Sequence, residues 1–375
     1  MGKYNWTIAS IEERLQRLND MFNSEKDPKK IETLRRDITI LQDYIADYYD
    51  EEEEEKLKLL EAYDSVKENL GDIPFLWQDF KDFRDFTKNG INTFITIKNC
   101  TLSKDDLLDL THDFYRSLDH YFYGHFMKTF YRRRDHIVFR SLQGKSPYKG
   151  ETINIPSLKE SFIEVKRDYT IDDVFTTIHE YGHATSSAIN PIHSLYPKIL
   201  FSEVDAIFFE LICADYLEIL FKNGEPTLNK FSRHDTMCWT ADELAIKIRL
   251  MEYERKLKHN FTTNKALKTG AKIACGVHPE EIEDILQDTK SIGNEIYLTS
   301  YMLALELYKI FREDKEKALY YLRKFILMEC YTEEEYYSNI KRFGLVPNLS
   351  TREMHQEFQN EAMRLTRKKK NPKHN

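Results

Sequence analysis

Two histidines four residues apart, with a glutamate directly after the first, are the residues best suited to chemistry in this chain. They are His179, Glu180 and His183, in the run His-Glu-Tyr-Gly-His. On a helix, residues i and i+4 lie on one face about one turn apart, so both imidazoles can reach a single ion. Glu180 neighbours the first histidine and points toward the same cleft. There it can take a proton from a metal-activated water without binding the metal itself. Imidazole suits zinc, and catalytic zinc sites pair three protein ligands with one open position. The expectation is one zinc per chain, with His179 and His183 as two ligands and Glu180 as general base.

The third ligand is sought downstream. Ile189 stands six residues after His183, where another class of site has a histidine, and His193, beyond Pro191, reads as a loop residue. The next segment, FSEVDAIFFELICADYLEIL, is apolar over a helical length and carries Glu203 and Glu210 seven residues apart, on one face. Carboxylates on a stripe of an apolar helix are costly unless they are paired or bind metal. A helix crossing behind the first would bring Glu203 to the ion. Glu210, two turns on, would accept a hydrogen bond from a ligand histidine. Asp205 competes with Glu203 but points to a different face.

These groups need elements to position them. Thr170 can cap the motif helix, Asp173 occupies the capping-box position, and Asp172 and Asp173 favour its positive end. Val174, Ile178 and Tyr181 offer it a buried stripe. Upstream, HIVFRSL, TINIPSL and SFIEVKR are short runs with β-branched and aromatic residues, read as two or three strands. Residues 162–166 (Phe162, Glu164 and Lys166 among them) are expected to form an edge strand that pairs with an extended peptide.

The rest of the chain reads as helix. Gly (12) and Pro (10) are scarce in 375 residues, which disfavours a turn-rich β fold. Ile11, Leu15 and Leu18, then Ile31, Leu34, Ile38 and Leu41, repeat at helical spacing on either side of Asp27-Pro28, so a helical hairpin is expected. A charged helix is expected over residues 51–70, and further helices over 76–86 and 104–134. With no repeat and no flexible linker, the division expected is an N-terminal helical portion, 1–134, packed on a catalytic core, 135–375, that ends in a basic tail from about residue 364.

The segments FIEVKRDYTIDDVFTTIHEYGHATSS and FSEVDAIFFE resemble the core of the oligoendopeptidase F and thimet oligopeptidase family of zinc peptidases. HDTMCWTADELAIKIRLMEYERKLKHNF is similar to that family's following helix. EIYLTSYMLALELYKIF resembles its tyrosine-bearing helix. The likeness covers about residues 160–345. It implies a mainly α fold, with a zincin-like core, a small β-sheet beside the HExxH helix and the N-terminal helical portion. It implies Glu203 as third ligand, Glu210 at a family glutamate, and Tyr297 and Tyr301 as candidate donors to the oxyanion. The family usually has a histidine about six residues before the first tyrosine; Ser291 stands there in this chain. The activity implied is metalloendopeptidase action on short unstructured peptides. The alternative is a non-catalytic or weakly active relative that keeps zinc and binds peptides.

Composition narrows the remaining classes. A net charge of −8 argues against a nucleic-acid partner. No apolar run reaches the roughly 18 residues of a membrane span. Cys100, Cys213, Cys238, Cys275 and Cys330 are odd in number and widely spaced, as for free thiols in a reducing compartment. MGKYNWTIAS has no apolar signal core, and Trp6 occupies the place where a myristoylation motif wants Ser or Thr. A cytoplasmic location is expected.

Overall fold

Alternating side chains along residues 137–167 make a sheet with two different faces, and each face recruits a different set of helices. The computed structural model describes residues 8–49, 102–141, 149–169, 172–191, 201–223, 293–328 and 333–342. The strands are β1 (Ile137–Ser141), β2 (Gly150–Ile155) and β3 (Glu160–Arg167). Their order is β1-β3-β2. β1 runs parallel to β3, with Ile137 opposite Ile163. β2 runs antiparallel to it, with Gly150 opposite Val165 and Ile155 opposite Glu160.

The back face carries Val138, Ile153, Ile155 and Phe162. They pack against Ile11, Leu18, Leu34 and Leu41 of a helical hairpin, α1 (Ile8–Ser24) and α2 (Pro28–Tyr49). Pro28 opens α2, where its missing N–H costs nothing, and Asp27 accepts from the Lys29 amide at 3.0 Å. Two polar ties dock the hairpin. Arg14 Nε donates to Glu160 at 2.7 Å, and the buried Asp37 accepts from the Ser157 amide at 2.8 Å.

The front face carries Ile137, Phe139, Ile163 and Val165, which join the large core. That core is shared with α3 (Lys104–Leu118), α4 (His120–Phe130), α6 (Asp172–Ile189), α7 (Val204–Lys222), α8 (Gly293–Glu313) and α9 (Lys315–Ile326). A single turn, α5 (Arg133–His136), leads into β1, and α10 (Glu333–Arg342) follows α9. Ser103 and Asp106 close a reciprocal capping box at the start of α3. The helical run expected over 104–134 is broken at Asp119, whose backbone is extended (φ −151°, ψ 171°) and whose carboxylate accepts from the Phe122 amide at 2.7 Å. The break lets Phe114 and Tyr115 on α3 and Phe122 and Phe126 on α4 enter the same core, with Tyr115 and Phe126 stacked at 4.3 Å.

The fold is therefore mainly α with a small three-stranded sheet among the described residues. One expectation is corrected. β3, which holds Phe162, Glu164 and Lys166, is the central strand, bonded to β1 on one side and β2 on the other. Its backbone groups are spent within the sheet and cannot receive an added peptide. The helices expected over 51–70 and 76–86, and the basic tail, lie outside the described residues.

Candidate metal centre

Helix α6 begins with Asp172 and Asp173. Asp173 accepts from the Asp168 amide at 3.0 Å and from Arg167 Nε at 2.9 Å, which ties the helix start to the end of β3. Burial pushes the Asp173 carboxyl up in pKa, against the pull of Arg167. Thr170, the expected cap, lies outside the described residues. Val174, Ile178 and Tyr181 are buried as the helical stripe requires, at about 1.5–3 kcal/mol for each large side chain taken from water. Tyr115 donates to the Ile178 carbonyl at 3.1 Å from behind. Next to this stripe stand His179 and His183, their rings 4.7 Å apart and nearly perpendicular.

Helix α7 crosses α6 at Gly182. A Cβ there would lie 3.0 Å from Ala206 Cα and 3.1 Å from Phe209 Cδ2, so a larger residue would have to push the helices apart. Glu203 immediately precedes α7; its carbonyl accepts the first helical bond, from the Ile207 amide at 2.9 Å. Its own amide meets Ser300 Oγ of α8 at 3.3 Å. Glu203 Oε2 sits 3.0 Å from His179 Nε2 and 3.3 Å from His183 Nε2, and the two Nε2 atoms are 3.1 Å apart. On the outer side of His179, Nδ1 meets Glu210 Oε1 at 2.7 Å. Of the acids weighed as a third ligand, Glu203 and not Asp205 joins the two histidines; Asp205 is buried elsewhere on α7.

The donor set fits a zinc ion. At metal–nitrogen distances of about 2.0–2.1 Å, the edge of a tetrahedron is roughly 3.3–3.4 Å. The three ligand atoms are separated by 3.0–3.3 Å. Glu203 Oε2 is buried and makes no hydrogen bond of proper geometry despite these approaches. Lone pairs converging on one point leave an oxygen in that condition, whereas an aligned N–H would not. With Nδ1–H of His179 donating to Glu210, its Nε2 lone pair is held toward that point. Electrostatics agree. Burial disfavours charge on both histidines, but Glu210 and Glu203 hold the His179 imidazolium well above its ordinary pKa, and Glu203 raises His183. Glu203 is held well below the carboxylate range by the two rings, against its burial. The site calls for positive charge.

Glu180, next to His179 on α6, is buried against β2. Burial raises its pKa, against the pull of His179, His183 and the Thr152 hydroxyl. Thr152 Oγ1 lies 2.6 Å from Glu180 Oε2 and 3.0 Å from the Glu180 carbonyl. A Cβ on Gly150 would lie 2.4 Å from Glu180 Oε1. These β2 contacts were not identified from sequence; the signal available was the alternation of Thr152 and Asn154 with Ile153 and Ile155 in TINI.

The other expected site residues are distributed differently. Tyr301 is buried on α8, beside Ser300. Tyr297 is also on α8, but its side chain is outside the described residues, as are Ser291 and His193. Phe162 is buried on the back face, stacked on His136 at 4.6 Å and covered by Arg14. Glu164 pairs with Arg140 at 3.0 Å, and the Lys166 amide donates to the Lys149 carbonyl at 2.7 Å.

No protein-family model and no curated protein matches the sequence. Solved structures do. A structure of PZ peptidase A with an inhibitor superimposes at a TM-score of 0.58 and 12% identity, over 93% of this chain and 71% of that one. The chain carries the oligoendopeptidase F fold. A protein assigned as an oligoendopeptidase F gives a TM-score of 0.54 at 13% identity, over 90% of this chain and 65% of that one. Another so assigned, from Bacillus anthracis strain Ames, gives 0.50 at 14%, over 89% and 64%. This chain thus spans about two thirds of the length of the oligoendopeptidase F structures it matches. Among its described residues, no helix is long and apolar enough to cross a membrane.

Proposed function

We propose that this chain is a zinc-dependent endopeptidase that hydrolyses short, unstructured peptides. The observation that carries the reading is the convergence of His179 Nε2, His183 Nε2 and Glu203 Oε2 on one point, with the Glu180 carboxylate alongside. The peptidase structures that share the fold support the same reaction class. A zinc ion held by these three residues would lower the pKa of a water molecule and polarise the scissile carbonyl.

The chain's own groups do the rest. Glu180 accepts the proton of the attacking water and delivers it to the leaving amine. Glu210 holds His179 in the tautomer that leaves Nε2 free. Tyr301 and Tyr297, on α8, are the proposed donors to the oxyanion.

Substrate docking is assigned to β2 rather than β3. The Lys166 amide bonds the carbonyl of Lys149, the residue facing it in the register that pairs Gly150 with Val165. By antiparallel alternation, residues 151, 153 and 155 bond to β3, while Gly150, Thr152 and Asn154 turn their backbone groups to the outer edge of β2. An extended peptide adds there, beside Glu180; a folded protein has its backbone groups already paired. A cytoplasmic location and the absence of nucleic-acid and membrane partners complete the proposal.

The test is to incubate purified protein with a mixed peptide library, with and without chelator, and to read the products by mass spectrometry. Chelator-sensitive cleavage that is absent from Glu180→Gln is expected. Undiminished cleavage in chelator, or by Glu180→Gln, would refute the reading.

A further inference from the structure

Glu180 is gripped from the strand side by two features of β2 that the proposed mechanism does not require. The Thr152 hydroxyl has one hydrogen and two acceptors before it, Glu180 Oε2 at 2.6 Å and the Glu180 carbonyl at 3.0 Å. The shorter, charge-assisted contact takes the hydrogen. Two residues earlier on the same strand, and facing the same side, Gly150 leaves open the space into which the other carboxylate oxygen fits. A Cβ at 150 would stand 2.4 Å from Oε1, 2.7 Å from Thr176 Cγ2 on the same helix and 2.8 Å from the carboxyl carbon. One oxygen is thus held by a hydroxyl and the other by an absent side chain. Glutamate is a long side chain with several rotamers, and nothing in α6 itself holds its end.

We propose that Thr152 and Gly150 are positioning residues for Glu180. Together they fix its carboxylate in one orientation where β2 packs on α6. The inference deepens the peptidase reading and rests on it for the role of Glu180. The arrangement occupies Oε2 with the Thr152 hydrogen and seats Oε1 over Gly150. It also places base alignment and the proposed peptide-docking edge on one strand. Loss of the Thr152 hydroxyl therefore acts on the chemical step, while the metal ligands on α6 and α7 stay as they are.

The test compares Thr152→Val, which keeps shape and removes the hydroxyl, with Thr152→Ser, which keeps the hydroxyl, and with Gly150→Ala. Thr152→Ala substitutes for the valine variant should that one not fold. For each zinc-loaded protein, kcat and KM for a short peptide are measured, along with zinc affinity and the affinity for a peptide hydroxamate. A hydroxamate chelates a metal through two oxygens and shares its proton with a neighbouring carboxylate, so it reads the placement of Glu180 without turnover. A hydrogen bond to a charged group corresponds to a loss of roughly ten- to a hundred-fold. That loss is expected in kcat and in hydroxamate affinity for Thr152→Val, with KM and zinc affinity within about twofold and Thr152→Ser near wild type; Gly150→Ala should show the same loss, together with weaker zinc binding where its Cβ presses Thr176 of α6. If wild type binds zinc but cleaves nothing, the peptidase reading fails and the hydroxamate affinities alone decide the positioning role. Wild-type hydroxamate affinity in Thr152→Val and Gly150→Ala overturns it, as does a serine variant as impaired as the valine one.

Discussion

Replacing Gly182 by alanine tests the geometry of the site through its scaffold. Gly182 lies between Tyr181 and His183 on α6, at the crossing with α7. The added Cβ would meet Ala206 Cα at 3.0 Å, Phe209 Cδ2 at 3.1 Å and Ala206 Cβ at 3.4 Å. Carbon atoms in contact rest at about 3.5–4.0 Å, so the two helices must part by about a few tenths of an ångström. Phe209 can turn aside; the Ala206 backbone cannot. Ala206 stands three residues after Glu203 and four before Glu210, so withdrawing α7 carries both carboxylates from His179 and His183. Overpacking of this kind costs about 1–3 kcal/mol. Urea unfolding of the chelated protein should register that loss. Competition with a zinc chelator should register weaker metal binding, by about the ten- to hundred-fold typical of lost support around metal ligands. If Gly182→Ala keeps wild-type stability and zinc affinity, the close crossing does not set the ligand geometry.

Glu210→Gln should weaken zinc binding by about ten- to a hundred-fold, because the amide offers His179 Nδ1–H a neutral acceptor in place of a charged one; an unchanged affinity by chelator competition would detach Glu210 from the site. Glu160, bound by Arg14 at 2.7 Å and near His136 at 3.5 Å, has its pKa lowered from 4.5 to about 2; burial opposes the shift, and His136 and Arg14 outweigh it. Its folded pKa is the depressed one, so its contribution, at most roughly 3 kcal/mol, is present above pH 4.5 and lost as pH falls toward 2. The stability advantage of wild type over Glu160→Gln, measured by urea unfolding between pH 7 and 3, should therefore narrow below pH 4.5; an advantage independent of pH would discard the ion-pair account. Tyr301→Phe should lower kcat by about a hundred-fold or more with zinc retained, as for loss of an oxyanion donor; unchanged kinetics would return Tyr301 to packing.

The residues that gather at the centre were legible from helical spacing together with the family resemblance, which singled out Glu203 over Asp205. His179 and His183 share a face by the i, i+4 rule, and Glu203 and Glu210 lie two turns apart on a segment too apolar to hold unpaired charge. The hairpin of α1 and α2 was legible for the same reason, through Ile11, Leu18, Leu34 and Leu41 around Asp27-Pro28. Strand order was not. Residues 162–166 have the apolar, β-branched look of any strand, and local pattern carries no information on which strand lies between two others. The central place of β3 shows only in its pairing with β1 on one side and β2 on the other, while its faces turn Phe162 toward the hairpin and Ile163 toward α6. The hairpin lies more than a hundred residues earlier in sequence, and α6 follows β3 directly. Gly150 and Thr152 were missed because their importance lies in what they approach. Glycine in a strand reads as a weak point until Glu180 is seen to fill the space it leaves. The break at Asp119 was hidden because no Gly or Pro marks it, and an aspartate cap is recognised only once the Phe122 amide is known to point at it.

The most direct measurement is the zinc content of the purified protein and four variants, by elemental analysis after dialysis against chelator and reloading. Wild type and Glu180→Gln should hold one zinc per chain, since three protein ligands suffice and Glu180 is not among them. His179→Ala, His183→Ala and Glu203→Ala should each fall well below that. Full occupancy in those three variants, or a wild type that takes up no zinc, would contradict the account.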